Sequence, residues 1–230
     1  MTFMAVRCRR IELDGWPRQE HYVFFRRFGF PFFSVTSPVD VTSLRGALKR
    51  RGASFTLGFV YALTRAANAI PEFRQRIRDE GPVEHEAVDP AITVLCEGDL
   101  FRFCFLQHLE TFGRFVEDAA RRIQEVRARA SLGSQDVRDD ALFCTALPWL
   151  SFSGMLHPMP LNPTDSVPRI AWGRFEERDG RLVMPLNVQA HHALVDGIHI
   201  ARLHAHLEAL LRDPERLLGD DHASPEPVDT

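Results

Sequence analysis

At 230 residues, 45% apolar and 26% charged, the chain is long enough for one well-buried core and short for two full domains. A formal net charge of −3, with no cluster of Lys and Arg, gives no electrostatic case for nucleic acid or a membrane surface. No apolar run approaches the roughly 20 residues that span a bilayer. The opening MTFMAVRCRRIELDGW lacks the uninterrupted apolar stretch of a secretory signal, so a soluble cytoplasmic protein is expected.

In chain order, the first strong period is Phe55, Phe59, Leu63, Ala66 and Ile70, whose three- and four-residue steps predict a helix with one buried face. Ala91–Cys96 and Phe101–Leu106 are short, rich in β-branched or aromatic residues, and read as strands. Phe115, Ala119, Ile123 and Val126 place a second helix between Arg114 and Ala130, and Ala141–Leu147 is a further strand. Ile170–Glu176 and Leu182–Ala190 flank Arg178-Asp179-Gly180-Arg181, whose Asp-Gly pair favours a tight hairpin turn. A third helix starts near His199, with Ile198, Leu203, Leu207 and Leu210 expected on its inner side. From about Asp213 the sequence turns polar, acidic and proline-bearing, which divides the chain into a domain over 1–212 and a loose tail over 213–230. Strands and helices mix without strict alternation, so the expected class is α/β: a single-domain mixed β-sheet covered by helices. Cys8, Cys96, Cys104 and Cys144 have no metal-ligand spacing and read as reduced thiols, three of them in apolar, strand-like surroundings.

Chemistry concentrates in His191-His192-Ala193-Leu194-Val195-Asp196-Gly197, between a strand and a helix. Adjacent strand residues face opposite sides, so one histidine can face a pocket while the other packs. Asp196 suits a helix N-cap. Taken alone, the segment equally fits a satisfied core histidine before an ordinary cap. His199, His204 and His206 lack the four-residue helical spacing of a zinc pair, and no metal is expected; the surface face of the helix is their expected home.

This segment resembles the HHxxxDG motif shared by chloramphenicol acetyltransferases, nonribosomal peptide condensation domains and plant alcohol acyltransferases. The remaining motifs resemble the chloramphenicol acetyltransferase family in order and over nearly the whole chain. They are Trp16-Pro17-Arg18-Gln19-Glu20-His21 with Phe24 and Phe25, Val39-Asp40-Val41-Thr42, Asn68 and Glu72-Phe73-Arg74. Leu147-Pro148-Trp149-Leu150-Ser151-Phe152, Pro168-Arg169-Ile170 and Trp172-Gly173 complete the set. The length also separates the chain from the two larger groups, which are about twice its size.

The resemblance implies a direct transfer of acetyl from acetyl-CoA to a substrate hydroxyl, with chloramphenicol as the default acceptor and no acyl-enzyme. It makes His192 the general base and gives Thr145, where the family has serine, the oxyanion-donor role. Asp196 and Arg18 become a supporting ion pair, Phe24 and Phe25 part of the acceptor pocket, and Trp149 a neighbour of coenzyme A. It also implies a homotrimer with pockets between subunits, where the catalytic histidine reaches across and Phe25 and His192 of different chains meet. Two departures stand out: Ala171 replaces a threonine that holds a water near the oxyanion, and Phe25 replaces a common tyrosine. With Thr145 in place of serine, these keep open a biosynthetic acyltransferase acting on another alcohol or amine; a non-catalytic binding protein on the same fold is the alternative from a different class, and the retained His192, Asp196 and Arg18 argue against it.

Overall fold

Each long apolar period becomes a helix, and the strands between them assemble into one large sheet. The computed structural model describes residues 8–129, 131–132, 138–161 and 165–219. In chain order the elements are β1 (Cys8–Arg10), α1 (Gln19–Phe25), β2 (Phe32–Asp40), α2 (Thr42–Arg50), α3 (Phe55–Asn68), α4 (Pro71–Arg74), β3 (Gln75–Arg78) and β4 (Gly81–His85). Then follow β5 (Asp89–Leu95), β6 (Phe101–Phe105), α5 (Phe112–Ala128), β7 (Ala141–Leu147), β8 (Arg169–Gly173), β9 (Glu176–Arg178), β10 (Arg181–His191), α6 (Gly197–Arg212) and α7 (Pro214–Leu218).

The large sheet runs β2-β10-β8-β7-β5-β6, with β9 paired to β10. β7 is parallel to both β5 and β8, and the other pairs are antiparallel, so the sheet is mixed. A small antiparallel sheet, β1-β4-β3, stands apart from it. Asp179 and Gly180, with φ of 51° and 74°, make the tight turn between β9 and β10.

Register assigns the two faces of the large sheet. Leu142, Cys144, Ile170, Trp172, Leu186 and Val188 share the face that packs into the core. Phe59 of α3 meets Trp172 there, with ring centroids 5.0 Å apart. Ser37 on the same face is 2.7 Å from Nε2 of His204 on α6. The opposite face carries Thr145, Ala171, Asn187 and Thr36 in register, three of them polar. The segment over 150–161 crosses this face and is held through its main chain. Asn187 Nδ2 donates to the Met155 carbonyl at 3.1 Å, and Gln189 accepts from the His157 N–H at 2.7 Å.

Several expectations need correction. The domain does not stop at residue 212, because α7 buries Leu217 and Leu218 in the core. Glu215 ties α7 to Arg50 at the end of α2 and to Arg51 just after it, so 213–218 are not tail; residues 220–230 lie outside the described residues. The strand expected over 170–176 ends at Gly173, where the Arg174 N–H turns to the Leu150 carbonyl at 2.8 Å. On α6, Ile198 is 55% exposed, whereas His199 and Leu211 are buried. Cys104 and Cys144 are buried free thiols, and Cys8 is exposed. Among the described residues no helix is long and apolar enough to cross a membrane.

Candidate active site

Strand β10 delivers its two histidines to different surroundings. His191 is still in the ladder, opposite Phe32, and is 2% exposed. Its Nδ1 accepts from the Ala193 N–H at 3.1 Å, and burial pushes its pKa down to about 4. His192 has left the ladder. Its N–H donates to the Pro31 carbonyl at 2.8 Å, and its own carbonyl accepts from Nη2 of Arg18 at 3.2 Å. The ring stacks on Phe25 of its own chain with centroids 4.0 Å apart, a correction to the expected meeting of these two residues across subunits, and leans on Phe33 at 4.6 Å. Nδ1 is 3.1 Å from the Val195 carbonyl oxygen and 3.0 Å from Oδ1 of Asp196. Both neighbours are pure acceptors, so Nδ1 carries the hydrogen and Nε2 keeps its lone pair free. That is the tautomer a general base requires.

Asp196, the N-cap of α6, gives one oxygen to His192 and the other to Nη1 of Arg18. The hydrogen bond from Arg18 holds its carboxyl below the usual carboxylate range. Arg18, just ahead of α1, therefore clamps both the Asp196 carboxylate and the main chain of His192. The three histidines downstream do not converge on a common point. His199 is buried and His204 bonds to Ser37, so only His206 takes the expected surface position. His199 has an acidic neighbour from a distant segment, Glu72 on α4. The stripe His199, Leu203, Leu207, Leu211, four residues apart, was the available signal.

The structure does not bring Thr145 to His192 within one chain. Thr145 is level with Asn187, two strands and five residues from His192. At ~4.8 Å per strand and ~3.3 Å per residue the separation is about 19 Å. Nothing among the described residues hydrogen-bonds to the Thr145 hydroxyl, and its register partner Ala171 is fully buried. Trp149, at the turn after β7, is 61% exposed and so is no core aromatic. Phe24 is 58% exposed and edges onto Phe25, with an open groove along α1 between Gln19, Val23 and Arg27.

A mixed sheet whose interior strand β10 leads directly into a tautomer-fixed histidine defines a class, the acyltransferases that carry the HHxxxDG motif. Residues 6–208 match the family described as chloramphenicol acetyltransferase. A chloramphenicol acetyltransferase of Streptomyces acrimycini is 36% identical over 207 residues, covering 89% of this chain and 94% of that one. Chloramphenicol acetyltransferase 2 of Haemophilus influenzae is 30% identical, covering 84% and 92% of the two chains. A solved chloramphenicol acetyltransferase structure superposes with a TM-score of 0.83 at 29% identity, over 89% of this chain and all of that one. The chain belongs to the chloramphenicol acetyltransferase family and is an acyltransferase.

Proposed function

We infer that this protein acetylates the hydroxyl of chloramphenicol with acetyl-CoA, in a pocket that two copies of the chain complete together. The observation that carries the reading is the pinned His192: Nδ1 is committed to Val195 and Asp196, which leaves Nε2 as the one free basic atom of the ring. In the proposed step Nε2 takes the proton of the acceptor hydroxyl as that oxygen attacks the thioester carbonyl carbon. The Thr145 hydroxyl donates to the oxygen that becomes negative, a contribution of about 3–4 kcal/mol where one such donor acts. As the carbon–sulfur bond breaks, the proton on Nε2 passes to the departing thiolate, and His192 is neutral again. Phe25, stacked on the base, and the exposed Phe24 border the acceptor; the exposed indole of Trp149 is where coenzyme A is expected to lie.

A reacting carbonyl must sit about 3 Å from both base and oxyanion donor. The separation of about 19 Å within one chain, from the strand geometry, supports a pocket shared between neighbours, and with it the homotrimer. Phe28, Phe30, Leu150, Leu156 and Ile198 leave exposed apolar surface that such an assembly would cover. The cytoplasm, where acetyl-CoA is made and used, is the expected compartment. The fully buried Ala171 beside Thr145 favours a second reading, an acyltransferase for another alcohol or amine, because no hydroxyl holds a water there.

The test uses two inactive variants, His192→Ala and Thr145→Val, assayed for coenzyme A release with chloramphenicol. Each alone should lose a factor of about 10² or more. After co-refolding in equal amounts, a quarter of the shared pockets pair an intact His192 with an intact Thr145, so about a quarter of wild-type activity returns. No recovery on mixing refutes the shared pocket. Turnover with another alcohol or amine and none with chloramphenicol favours the second reading.

A further inference from the structure

Asp196 serves two partners at once, Arg18 through Oδ2 and His192 through Oδ1. A short carboxylate does this only while its own main chain is fixed, since a change of ψ at 196 swings both oxygens away. Asp196 is in extended conformation, with φ of −119° and ψ of 172°, at the mouth of α6. In a capping box a Glu or Gln at the third helical position accepts the N-cap N–H. Here that position holds His199, whose Nδ1 accepts the Asp196 N–H at 2.9 Å. An accepting Nδ1 places the ring hydrogen on Nε2, and Nε2 faces α4, 3.4 Å from Oε1 of Glu72.

This arrangement is an expensive way to close a helix end. His199 lies on the leucine stripe of α6 and is 5% exposed, so an apolar side chain would pack there. The other Glu72 oxygen is buried with no hydrogen-bond partner among the described residues, a state that is costly to maintain. The charged groups around His199 are Glu72 on α4, Arg18 ahead of α1, and Asp196 and Arg202 at α6. Burial lowers the imidazole's pKa, which keeps Nδ1 available as an acceptor.

We propose that His199 and Glu72 are positioning residues for acyl transfer: Glu72 fixes the tautomer of His199, His199 fixes the main chain of Asp196, and Asp196 thereby aims Nε2 of His192. The proposal rests on His192 being the base.

The experiment measures kcat, both KM values and the melting temperature of the full chain carrying His199→Leu, His199→Gln or His199→Asn, with His192→Ala as reference. His199→Leu should lower kcat by about 10- to 100-fold, the usual range for a lost supporting bond, with each KM within about twofold. His199→Gln restores an acceptor that reaches the Asp196 N–H, so it should recover kcat to within about threefold of wild type. His199→Asn is too short to reach and should remain impaired. If His199→Leu does not fold, the Gln and Asn pair decides alone. Equal kcat for Gln and Asn overturns the proposal, as does His199→Leu with wild-type kcat, or a rise in KM without a fall in kcat. Near-normal turnover by His192→Ala is a different failure, because it removes the base on which the proposal rests.

Discussion

Replacing Asp196 by alanine tests the energetic role of the clamp. The Arg18 side chain is only 12% exposed, and without Asp196 its guanidinium keeps one contact, the His192 carbonyl at 3.2 Å. Breaking a fully buried pair from one side costs about 3–5 kcal/mol. The Asp196 side chain is 26% exposed, so water reaches the vacated position and the lower end applies, about 3 kcal/mol. For a chain of this size each kcal/mol moves the melting temperature by about 2–4 °C, so Asp196→Ala should melt about 6–12 °C lower. Arg18→Met should cost somewhat less, because Asp196 keeps Nδ1 of His192 and solvent. In the double variant neither charge is stranded, so its loss should be smaller than the sum of the singles by about 2 kcal/mol. Calorimetry at one protein concentration measures all four proteins, since assembly makes melting depend on concentration. Additive losses, or a shift below about 2 °C for Asp196→Ala, would refute the reasoning, and the pair would then be an incidental contact.

Two further outcomes follow from named groups. Thr145→Val should lower kcat by about 10²–10³ with little change in KM, since its bond forms mainly in the transition state; Thr145→Ser should be mild, and a harmless Thr145→Val would place the oxyanion elsewhere. His191 is held neutral down to about pH 4 in the folded chain, whereas in the unfolded chain it takes up a proton near pH ~6.5. The unfolded state therefore binds the extra proton between those values. Stability is complete above this window and falls as pH drops through it, by up to about 3 kcal/mol. Urea midpoints of wild type should decline more steeply from pH 7.5 to 5 than those of His191→Gln, and parallel declines would contradict the assignment.

The parts of the fold legible in the sequence are those whose period is set by one buried face. Phe115, Ala119, Ile123 and Val126 on α5 are all buried, and β7 runs over the span its β-branched and aromatic residues suggested. The small sheet was illegible because its strands are three to five residues long and carry Arg76, Glu84 and His85 inward. Arg76 is tolerated there because the carbonyls of Phe73, Gln75, Asp139 and Ala141 take its donors, a long-range arrangement that no local pattern encodes. In the site, the HHxxxDG motif pointed to His192 and Asp196. The distance from His192 to Thr145 depends on strand order, and the burial of His199 depends on α4, neither of which periodicity reveals.

The crossing segment over 150–161 has an implication for how this protein can change. Asn187 and Gln189 grip it by the carbonyl of Met155 and by the N–H and carbonyl of His157, all main-chain atoms. The identity of a side chain such as Leu156, 65% exposed, is therefore decoupled from the segment's attachment. Variation along this stretch should be inherited with little loss, whereas a change at Asn187 or Gln189 removes part of an attachment that Ser34, on the Met155 carbonyl, and the Arg174 N–H, on the Leu150 carbonyl, also supply. A population under selection for a new surface on this side of the sheet can explore it one residue at a time while the strand positions that hold its main chain stay constant.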